Sequence, residues 1–321
     1  MKKKMWVVVN PISGIGKQKR IESVFDANLN KDLYDYEIKY TEHIHHGTEI
    51  ARMAADKGVD IVTAVGGDGS VNDVVSGLKG SPTTLGIIPC GSGNGLARCM
   101  NISLIPAFAV RMLNDDYEFP IDTIEVNGEH VVASIAGVGF DAYIARLMKT
   151  AKSRGLAAYL NLMVREYVRY ECQNYHLTID GKEYDRKAWF IAVANSNQFG
   201  FNANIAPQAK LNDGMLDISI VDKVPIEHLP VSVPLLYANH AELSQHVEIF
   251  KAKEVVISGN LDKWVNIDGE GEICGSEVRF VNIPNSLNVI GKRPLPGKII
   301  GDIHRIRQKV HNDIIKPIIN Q

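Results

Sequence analysis

The sequence predicts two domains: an α/β domain with a parallel sheet and flanking helices, followed by a β-rich sandwich domain. The first third of the chain alternates apolar strand-like runs with helix-like stretches, which is the pattern of a parallel sheet covered by helices. Beyond about Pro120, short alternating runs with hairpin dipeptides replace that pattern. A chain of 321 residues, 45% of them apolar, is long enough for both domains.

We place the first domain at residues 1–122. Every candidate strand except the second ends in a turn rich in Gly, Ser, Asn or Asp. Because ligands bind at the carboxyl ends of strands in an open α/β sheet, we expect the functional site at these turns. The candidate strands are residues 5–9, 36–40, 60–65 and 85–88, and the candidate helices, with apolar spacings of three and four, are residues 17–27, 47–57 and 71–78.

The second domain is expected at residues 123–293. The dipeptides Asn127-Gly128 and Asp180-Gly181 predict hairpins, because they tolerate the left-handed turn that antiparallel strands need. Two helical interruptions are expected, at residues 156–170 and from residue 226 to about 246. Residues 299–315 have the apolar spacing of an amphipathic helix, and we expect the tail at about 294–321 to pack back on the first domain rather than on a membrane.

Charge and cysteine content limit the classes of function. The 35 basic and 37 acidic residues give a formal charge of -2, so no nucleic-acid partner is expected. The four cysteines form no C-x-x-C pair, which argues against a thiolate zinc site or a disulfide framework and favours a reducing, cytoplasmic compartment. The apolar run after Lys4 is too short for a signal peptide or a membrane span, so a lipid substrate would have to be met at a membrane surface.

Three glycine-rich loops follow strands of the first domain. The first, residues 10–17, precedes a helix, and its glycines would let backbone N–H groups approach a phosphate. It lacks the spacing of a Walker P-loop. The third loop, residues 89–98, is another glycine-rich turn that follows a strand. A single such turn is weak evidence for a phosphate site. Three are hard to explain as ordinary turns, because glycine in these numbers costs chain entropy.

The second loop, residues 65–72, places Asp68 among three glycines directly after an apolar strand. We expect Asp68 to orient a metal ion or a reacting hydroxyl, while the loop amides and Ser70 hold phosphate oxygens. The alternative interpretation is a tight turn without a ligand.

These loops resemble those of a known family. N-P-x-S-G at residues 10–14, G-G-D-G-[ST]-x-N at 66–72 and P-x-G-[ST]-x-N at 89–94 are similar, in order and spacing, to the bacterial diacylglycerol kinase and sphingosine kinase group of soluble lipid kinases. The G-G-D-G element also occurs in NAD kinases and phosphofructokinases, so it identifies only the superfamily. The N-P-x-S-G start and motifs of the second domain narrow the resemblance to lipid kinases, and it covers nearly the whole chain.

The resemblance implies that the protein binds ATP and Mg²⁺. Thr41 follows the second strand, and its alternative role is a helix N-cap. Residues 91–95 read Gly-Ser-Gly-Asn-Gly where many diacylglycerol kinases have Gly-Thr-Thr-Asn-Asp, which resembles the sphingosine kinase branch and leaves the lipid substrate open. The implied ATP contacts are Asn10, Pro11, Ser13, Gly14, Thr41, Gly66, Gly67, Asp68, Gly69, Ser70, Asn72 and Ser92.

Acids of the second domain complete the predicted catalytic set. Asp268 and Glu270 end a strand with one glycine between them, and the resemblance implies that the general base lies in this stretch, working with Asp68. The choice between the two stays open, and the alternative is an acidic hairpin turn. Asp141 resembles the position at which sphingosine kinases meet the polar head of their lipid. Its alternative role is a helix N-cap.

One predicted metal site and one rejected site lie outside the nucleotide loops. By resemblance, the carboxylate of Asp213 and the carbonyls of Lys210 and Met215 form a magnesium site, which we expect to be structural because it lies apart from the nucleotide motifs. Residues 43–46 read His-Ile-His-His. We interpret them as a solvated loop rather than a metal site, because adjacent histidines cannot all face one ion without strain.

The sequence thus favours a cytoplasmic, ATP-dependent lipid kinase that is peripheral at the membrane. The lipid hydroxyl is expected in the cleft between the domains, near the four acids Asp68, Asp141, Asp268 and Glu270. Helix 156–170 is a candidate wall for the acyl chains, the alternative being ordinary core packing. Two rival functions are a soluble small-molecule kinase such as an NAD kinase and a non-catalytic nucleotide-binding regulator. The sequence leaves the choice between monomer and homodimer open.

Overall fold

Four parallel strands form the first part of the fold in a computed structural model that describes residues 1–12, 20–151 and 156–292. They lie in the order β2-β1-β3-β4, and each neighbouring pair is parallel. Every residue of β3 and β4 is buried, as expected for strands covered by helices on both faces. The strands are β1 (Lys3–Val9), β2 (Tyr34–Tyr40), β3 (Ile61–Gly66) and β4 (Thr84–Pro89).

Helices connect these strands and supply the other half of the first core. Buried residues such as Phe25 of α1 and Val74 of α3 pack in the same cluster as Val7 and Ile87 of the sheet. The α/β prediction is confirmed. α3 begins at Asp68, three residues before the predicted helix, and two helices were not predicted, α4 and α5. The helices are α1 (Ile21–Asn28), α2 (His46–Asp56), α3 (Asp68–Leu78), α4 (Gly95–Cys99) and α5 (Pro106–Leu113).

A second, antiparallel sheet faces the continuation of the first one. Its order is β12-β11-β10-β7-β14-β15, and one apolar cluster contains Val138 and Ile218 from this sheet with Leu177 and Phe280 from the other. The predicted β sandwich is therefore confirmed. Its strands are β7 (Ile135–Gly139), β10 (Phe190–Ala194), β11 (Leu216–Val221), β12 (Val247–Ala252), β14 (Trp264–Ile267) and β15 (Glu270–Ile273).

The long strand β16 (Glu277–Ile290) joins the two parts of the fold. It pairs parallel with β4 and antiparallel with β5 (Glu118–Val126) and β13 (Glu254–Ser258). The parallel sheet thus continues as β4-β16-β13-β8-β9 and has ten strands once β5 and β6 are included. The remaining strands are β6 (His130–Val132), β8 (Gln173–Ile179) and β9 (Lys182–Ala188).

This arrangement bears on the predicted domain division. The boundary between residues 122 and 123 falls inside β5, and residues 1–291 group as one compact unit. The tail predicted at about 294–321 lies outside the described residues. Both predicted hairpin turns are present: Asn127 and Asp180 have φ values of 53° and 44°, and the glycine after each also has positive φ.

Three helices pack against the second sheet. Phe140 stacks on Trp189, with ring centroids 4.1 Å apart, and fixes α6 to a third apolar cluster. The second predicted interruption, from residue 226 to about 246, is helical in three pieces, because the chain turns at Asn239 (φ 64°) after Tyr237. Single 3₁₀ turns at Ile226–His228 and Ala241–Leu243 flank α8, and β12 begins at Val247. Among the described residues, no helix is long and apolar enough to cross a membrane. The helices are α6 (Phe140–Thr150), α7 (Leu156–Tyr167) and α8 (Leu229–Tyr237).

Candidate functional site

The carboxyl ends of the four parallel strands bring the predicted nucleotide residues to one edge of the sheet. The backbone N–H of Thr41 donates to Val9 at 2.9 Å, so Thr41 lies beside the end of β1. Asn10 follows β1 and donates its N–H to Val65 of β3. Neighbouring strands are about 4.8 Å apart, so loops that leave adjacent strand ends share one surface. Ser13 and Gly14, also predicted to contact ATP, lie outside the described residues.

The second and third glycine loops pack directly on each other. Gly66 accepts hydrogen bonds from the backbone N–H groups of Cys90 and Gly91, at 2.8 and 3.2 Å. A Cβ atom added to Gly91 would lie only 2.4 Å from the Cα atom of Gly67. Backbone atoms must therefore touch here, and only glycine allows that approach. The glycines hold the two loops together as well as exposing their amides.

Asp68 links these same loops through its carboxylate. Its Oδ1 accepts the backbone N–H of Gly95 at 2.7 Å, and its Oδ2 accepts that of Asn94 at 2.8 Å, so it caps the start of α4. Burial raises the pKa of Asp68 to about 6, although the two amides lower it, and the nearby charge of Asp268 adds to the rise. No local sequence pattern identifies Asn94 and Gly95 as its partners, although both lie in the third loop.

Asp268 is a buried carboxylate surrounded by donors. Its Oδ1 accepts the backbone N–H groups of Ser134 and Ile135, and its Oδ2 accepts that of Ala133, all at 2.9–3.0 Å. Asn72 of α3 donates its side-chain amide to the same Oδ2 at 2.9 Å. Burial raises the pKa of Asp268, and these donors oppose the rise. Asp268 therefore anchors the β14–β15 turn both to α3 and to the segment before β7.

Glu270 lies two residues further on and has different surroundings. It is exposed, and its carboxylate covers the second glycine loop: a Cβ atom added to Gly69 would lie 2.8 Å from Glu270 Oε1. The turn that Asp268 anchors thus places the Glu270 carboxylate over the G-G-D-G loop. The sequence could not distinguish these two acids, whereas the geometry gives them separate positions and partners.

Asp141 is connected to this turn through Asn266. Asn266 donates its side-chain amide to Asp141 Oδ2 at 3.2 Å, and its side-chain oxygen accepts the backbone N–H of Gly269 at 2.8 Å. Asp141 lies in the first turn of α6 and is buried, which raises its pKa to about 7. Its Oδ1 has no hydrogen-bond partner within the described part of the chain. A buried acceptor of this kind has capacity for one more donor.

The predicted metal residues have a protein cation nearby. Lys251 Nζ lies 3.1 Å from Asp213 Oδ2 and 3.1 Å from Asp217 Oδ2. The other oxygen of Asp213 accepts the backbone N–H of Met215 at 3.2 Å. A metal ion at Asp213 would have to displace the Lys251 ammonium, which lies between the two carboxylates. The prediction for Lys210, Asp213 and Met215 stays untested, and no catalytic step is assigned to it.

Comparisons with known proteins agree with this fold. Residues 4–126 match the family model of the diacylglycerol kinase catalytic domain, and residues 134–291 match that of the YegS C-terminal NAD kinase beta sandwich-like domain. A diacylglycerol kinase of Bacillus subtilis (strain 168) is 29% identical over 306 residues, covering 90% of this chain and 96% of that protein. A diacylglycerol kinase of Staphylococcus saprophyticus is 25% identical over 296 residues, covering 90% and 95%.

A solved structure shows the same architecture. The crystal structure of a diacylglycerol kinase from Bacillus anthracis str. Sterne superimposes with a TM-score of 0.67 at 21% sequence identity, covering 91% of this chain and 97% of that one. At this identity the similarity establishes the fold. The two family models, which together match most of the chain, identify the family.

Proposed function

The chain belongs to the diacylglycerol kinase catalytic domain family, and we propose that it transfers the terminal phosphate of ATP to the hydroxyl group of a lipid. The observation that carries the proposal is the packing of the second and third glycine loops on each other at one sheet edge, with the Glu270 carboxylate over Gly69. A phosphate donor and an acceptor hydroxyl can meet at this place because a phosphate-binding backbone and an exposed base lie side by side.

The nucleotide would bind along the strand ends. The loop amides around Gly67, with the hydroxyls of Ser70 and Ser92, fit phosphate oxygens because small residues leave the backbone accessible. Asn10, Pro11 and Thr41 lie at the neighbouring strand ends and would contact the rest of ATP. Mg²⁺ bound with the triphosphate neutralises its negative charge. Asp68 holds the loops in position through Asn94 and Gly95.

We assign the general base to Glu270 and a positioning role to Asp268. Asp268 is buried and accepts four hydrogen bonds, so it is poorly placed to reach a lipid hydroxyl. Glu270 is exposed beside the loop that would hold the terminal phosphate. As the lipid oxygen forms its bond to the terminal phosphorus, Glu270 takes the hydroxyl proton and the bond from phosphorus to the leaving ADP oxygen breaks.

The lipid would enter from the sandwich side. Asp141 offers an unpartnered buried oxygen to a polar head group, and Asn266 links it to the Glu270 turn. Leu160 and Val164 of α7, and Val168 directly after it, are 45%, 74% and 68% exposed, whereas Met163 packs on the third apolar cluster. The helix thus has a core face and an exposed apolar face. We propose that the exposed face touches the membrane while the enzyme collects its substrate.

One experiment separates this function from its rivals. The purified protein would be incubated with radiolabelled ATP and Mg²⁺ and offered short-chain diacylglycerol, sphingosine or NAD in parallel. We expect label in a lipid product, identified by chromatography and mass spectrometry. Label in the NAD product alone would instead establish a small-molecule kinase. ATP binding without transfer to these acceptors or to a total lipid extract would support a non-catalytic regulator.

A further inference from the structure

We propose that His43, His46 and Glu49 form a binding site for a divalent transition-metal ion of the zinc type. The three residues lie in the connection from β2 to α2 and in the first turn of α2. One potential ligand atom from each lies within 4.8 Å of the other two, and the described residues contain no other group of three or more His, Cys, Asp or Glu side chains with this property. The site is separate from the carboxylates assigned to phosphate transfer.

The backbone removes the steric objection to a histidine site in this loop. His45 has a left-handed conformation, with φ of 61°, and its Nδ1 lies 3.1 Å from Asp73 Oδ1 on α3. His45 therefore points away from its neighbours. His43 and His46 stack on each other, with ring centroids 4.4 Å apart and planes 8° from parallel. Of the three histidines, only His45 is turned away, so His43 and His46 can face one ion without strain.

His43 is oriented as a metal ligand would be. Its Nδ1 lies 3.0 Å from the carbonyl oxygen of Ile44, which can only accept, so Nδ1 carries the proton and donates. The lone pair is then on Nε2, which lies 4.0 Å from Glu49 Oε2. A backbone carbonyl that fixes the tautomer of a ligating histidine is a common outer-shell partner in metal sites.

His46 needs one change before it can bind a metal ion. Its Nδ1 accepts the backbone N–H of Glu42 at 3.0 Å, so the proton of the neutral ring is on Nε2. Binding through Nε2 moves that proton to Nδ1 and gives up the Glu42 hydrogen bond, whereas binding through Nδ1 displaces the same bond. Either route costs a single hydrogen bond at an exposed position, so we expect moderate affinity.

The distances and the ligand types specify the class of ion. Around tetrahedral zinc, with bonds of 2.0–2.1 Å, ligand atoms lie roughly 3.4 Å apart. The ligand atoms lie up to 4.8 Å apart and need to close by up to about 1.4 Å, and the 55% and 61% exposure of His43 and Glu49 leaves room to rotate. Two imidazoles and one carboxylate suit zinc, cobalt or nickel, whereas magnesium and calcium prefer oxygen ligands. The ion would lie at the N-terminus of α2, which repels cations, so the negative charge of Glu49 is needed to offset that repulsion.

The test is direct metal binding to the full-length protein without nucleotide or lipid. Any polyhistidine tag is removed first, because it would bind the same ions. Calorimetric titration with Zn²⁺ is expected to show one ion per chain, and Co²⁺ is expected to give the visible absorption of a four-coordinate site. Because neither ATP nor a lipid is present, the result is independent of the proposed kinase activity.

Variants locate the ion. His43→Ala and His46→Ala should each weaken Zn²⁺ binding by more than the roughly 10- to 100-fold cost of losing an outer-shell partner, and Glu49→Gln should weaken it as well. The matched control is His176→Ala, which removes an exposed histidine that also lies beside a carboxylate, Asp185, and should leave binding unchanged. Circular dichroism verifies that each variant is folded. Absence of Zn²⁺ binding by the native protein, or native affinity in both His43→Ala and His46→Ala, would overturn the proposal.

Discussion

Asp268 and Glu270 are separated by a single glycine, and we assign them different roles. Asp268 accepts three backbone N–H groups and the Asn72 amide, whereas Glu270 is exposed over Gly69. We predict that Glu270→Gln lowers kcat roughly 10²- to 10⁴-fold, because the lipid hydroxyl loses its base, and leaves the thermal midpoint unchanged. Steady-state kinetics with short-chain diacylglycerol measures the first effect, and calorimetry measures the second.

Asp268→Asn is the comparison for that prediction. The new amide group would face donors on one side, either Asn72 and Ala133 or Ser134 and Ile135, so a buried group is left unpaired. We expect a loss of about 2–4 kcal/mol in the free energy of unfolding, measured by urea denaturation. Wild-type kcat in Glu270→Gln, or wild-type stability in Asp268→Asn, would contradict the assignment.

Asp141 predicts a pH dependence of stability. Burial raises its pKa to about 7 in the folded chain, above its ordinary value near 4 in the unfolded chain, so the folded chain binds this proton more tightly. Its contribution is fully present below about pH 4 and is lost as the pH rises through 7. Asp141→Asn should therefore reduce the fall in urea midpoint between pH 4 and 8.

The control for the pH prediction is Asp32→Asn, which replaces an exposed aspartate and should leave the profile unchanged. Asp68, with its pKa raised to about 6, acts in the same direction and should remain visible in the Asp141→Asn profile. If the two variants and the native protein have the same profile, Asp141 is not the titrating group.

Among the elements, the glycine loops combine backbone packing with the placement of Glu270. A Cβ atom on Gly91 would meet the Gly67 backbone, which cannot move easily, whereas one on Gly69 would meet the flexible end of Glu270. We predict that Gly91→Ala costs about 1–3 kcal/mol of stability and weakens ATP binding. Gly69→Ala should leave stability and ATP binding unchanged. It should lower kcat, because the added methyl group displaces the Glu270 carboxylate. Urea denaturation and binding of a fluorescent ATP analogue distinguish the two outcomes, and equal effects in both variants would contradict the prediction.

Helix α7 presents apolar side chains to solvent. The double variant Val164→Asp with Val168→Asp should reduce binding to lipid vesicles, measured by co-sedimentation, because carboxylates do not enter the apolar layer of the bilayer. Both positions are exposed, so the fold and the activity on a dispersed short-chain lipid should remain. Ile105→Asp is the matched control, since Ile105 is 56% exposed but lies at the start of α5. Unchanged vesicle binding in the double variant would exclude this surface.

At the scale of the whole molecule, β16 makes the two parts depend on each other. Its residues pair with β4 of the parallel sheet and with β13 of the sandwich, and Phe280 is fully buried in the sandwich core. We predict that Phe280→Ala lowers the free energy of unfolding by about 3–5 kcal/mol. Both parts should unfold together at one lower midpoint.

Tryptophan fluorescence tests that prediction. Trp6 lies in β1 and Trp189 lies between β9 and β10, so variants in which Trp264 and one of these two are replaced report on each part of the fold. Coincident transitions in both reporters are expected for the native background and for Phe280→Ala. Separate midpoints would show that the two parts unfold independently.

The local features of the fold follow from the order of the amino acids alone. Alternating apolar runs gave the four parallel strands to within two residues at each end, and the Asn-Gly and Asp-Gly dipeptides gave both hairpins, because these signals depend on neighbours in the chain. The glycine motifs predicted a candidate site at the strand ends for the same reason. The helix starting at Asp68 was placed three residues late, since the glycines of the loop obscured its first turn.

The roles of the buried and exposed acids depend on contacts between distant parts of the chain, which the folded structure alone reveals. The donors to Asp268 come from residues 72 and 133–135, and the partners of Asp68 come from the next strand end, so no local pattern distinguishes a buried anchor from an exposed base. Likewise, no local pattern predicts that Lys251 lies beside Asp213 or that β16 pairs with β4 in the first sheet. Periodicity and turn chemistry act over a few residues, whereas burial and hydrogen bonding of a charge are set by segments that meet only when the chain folds.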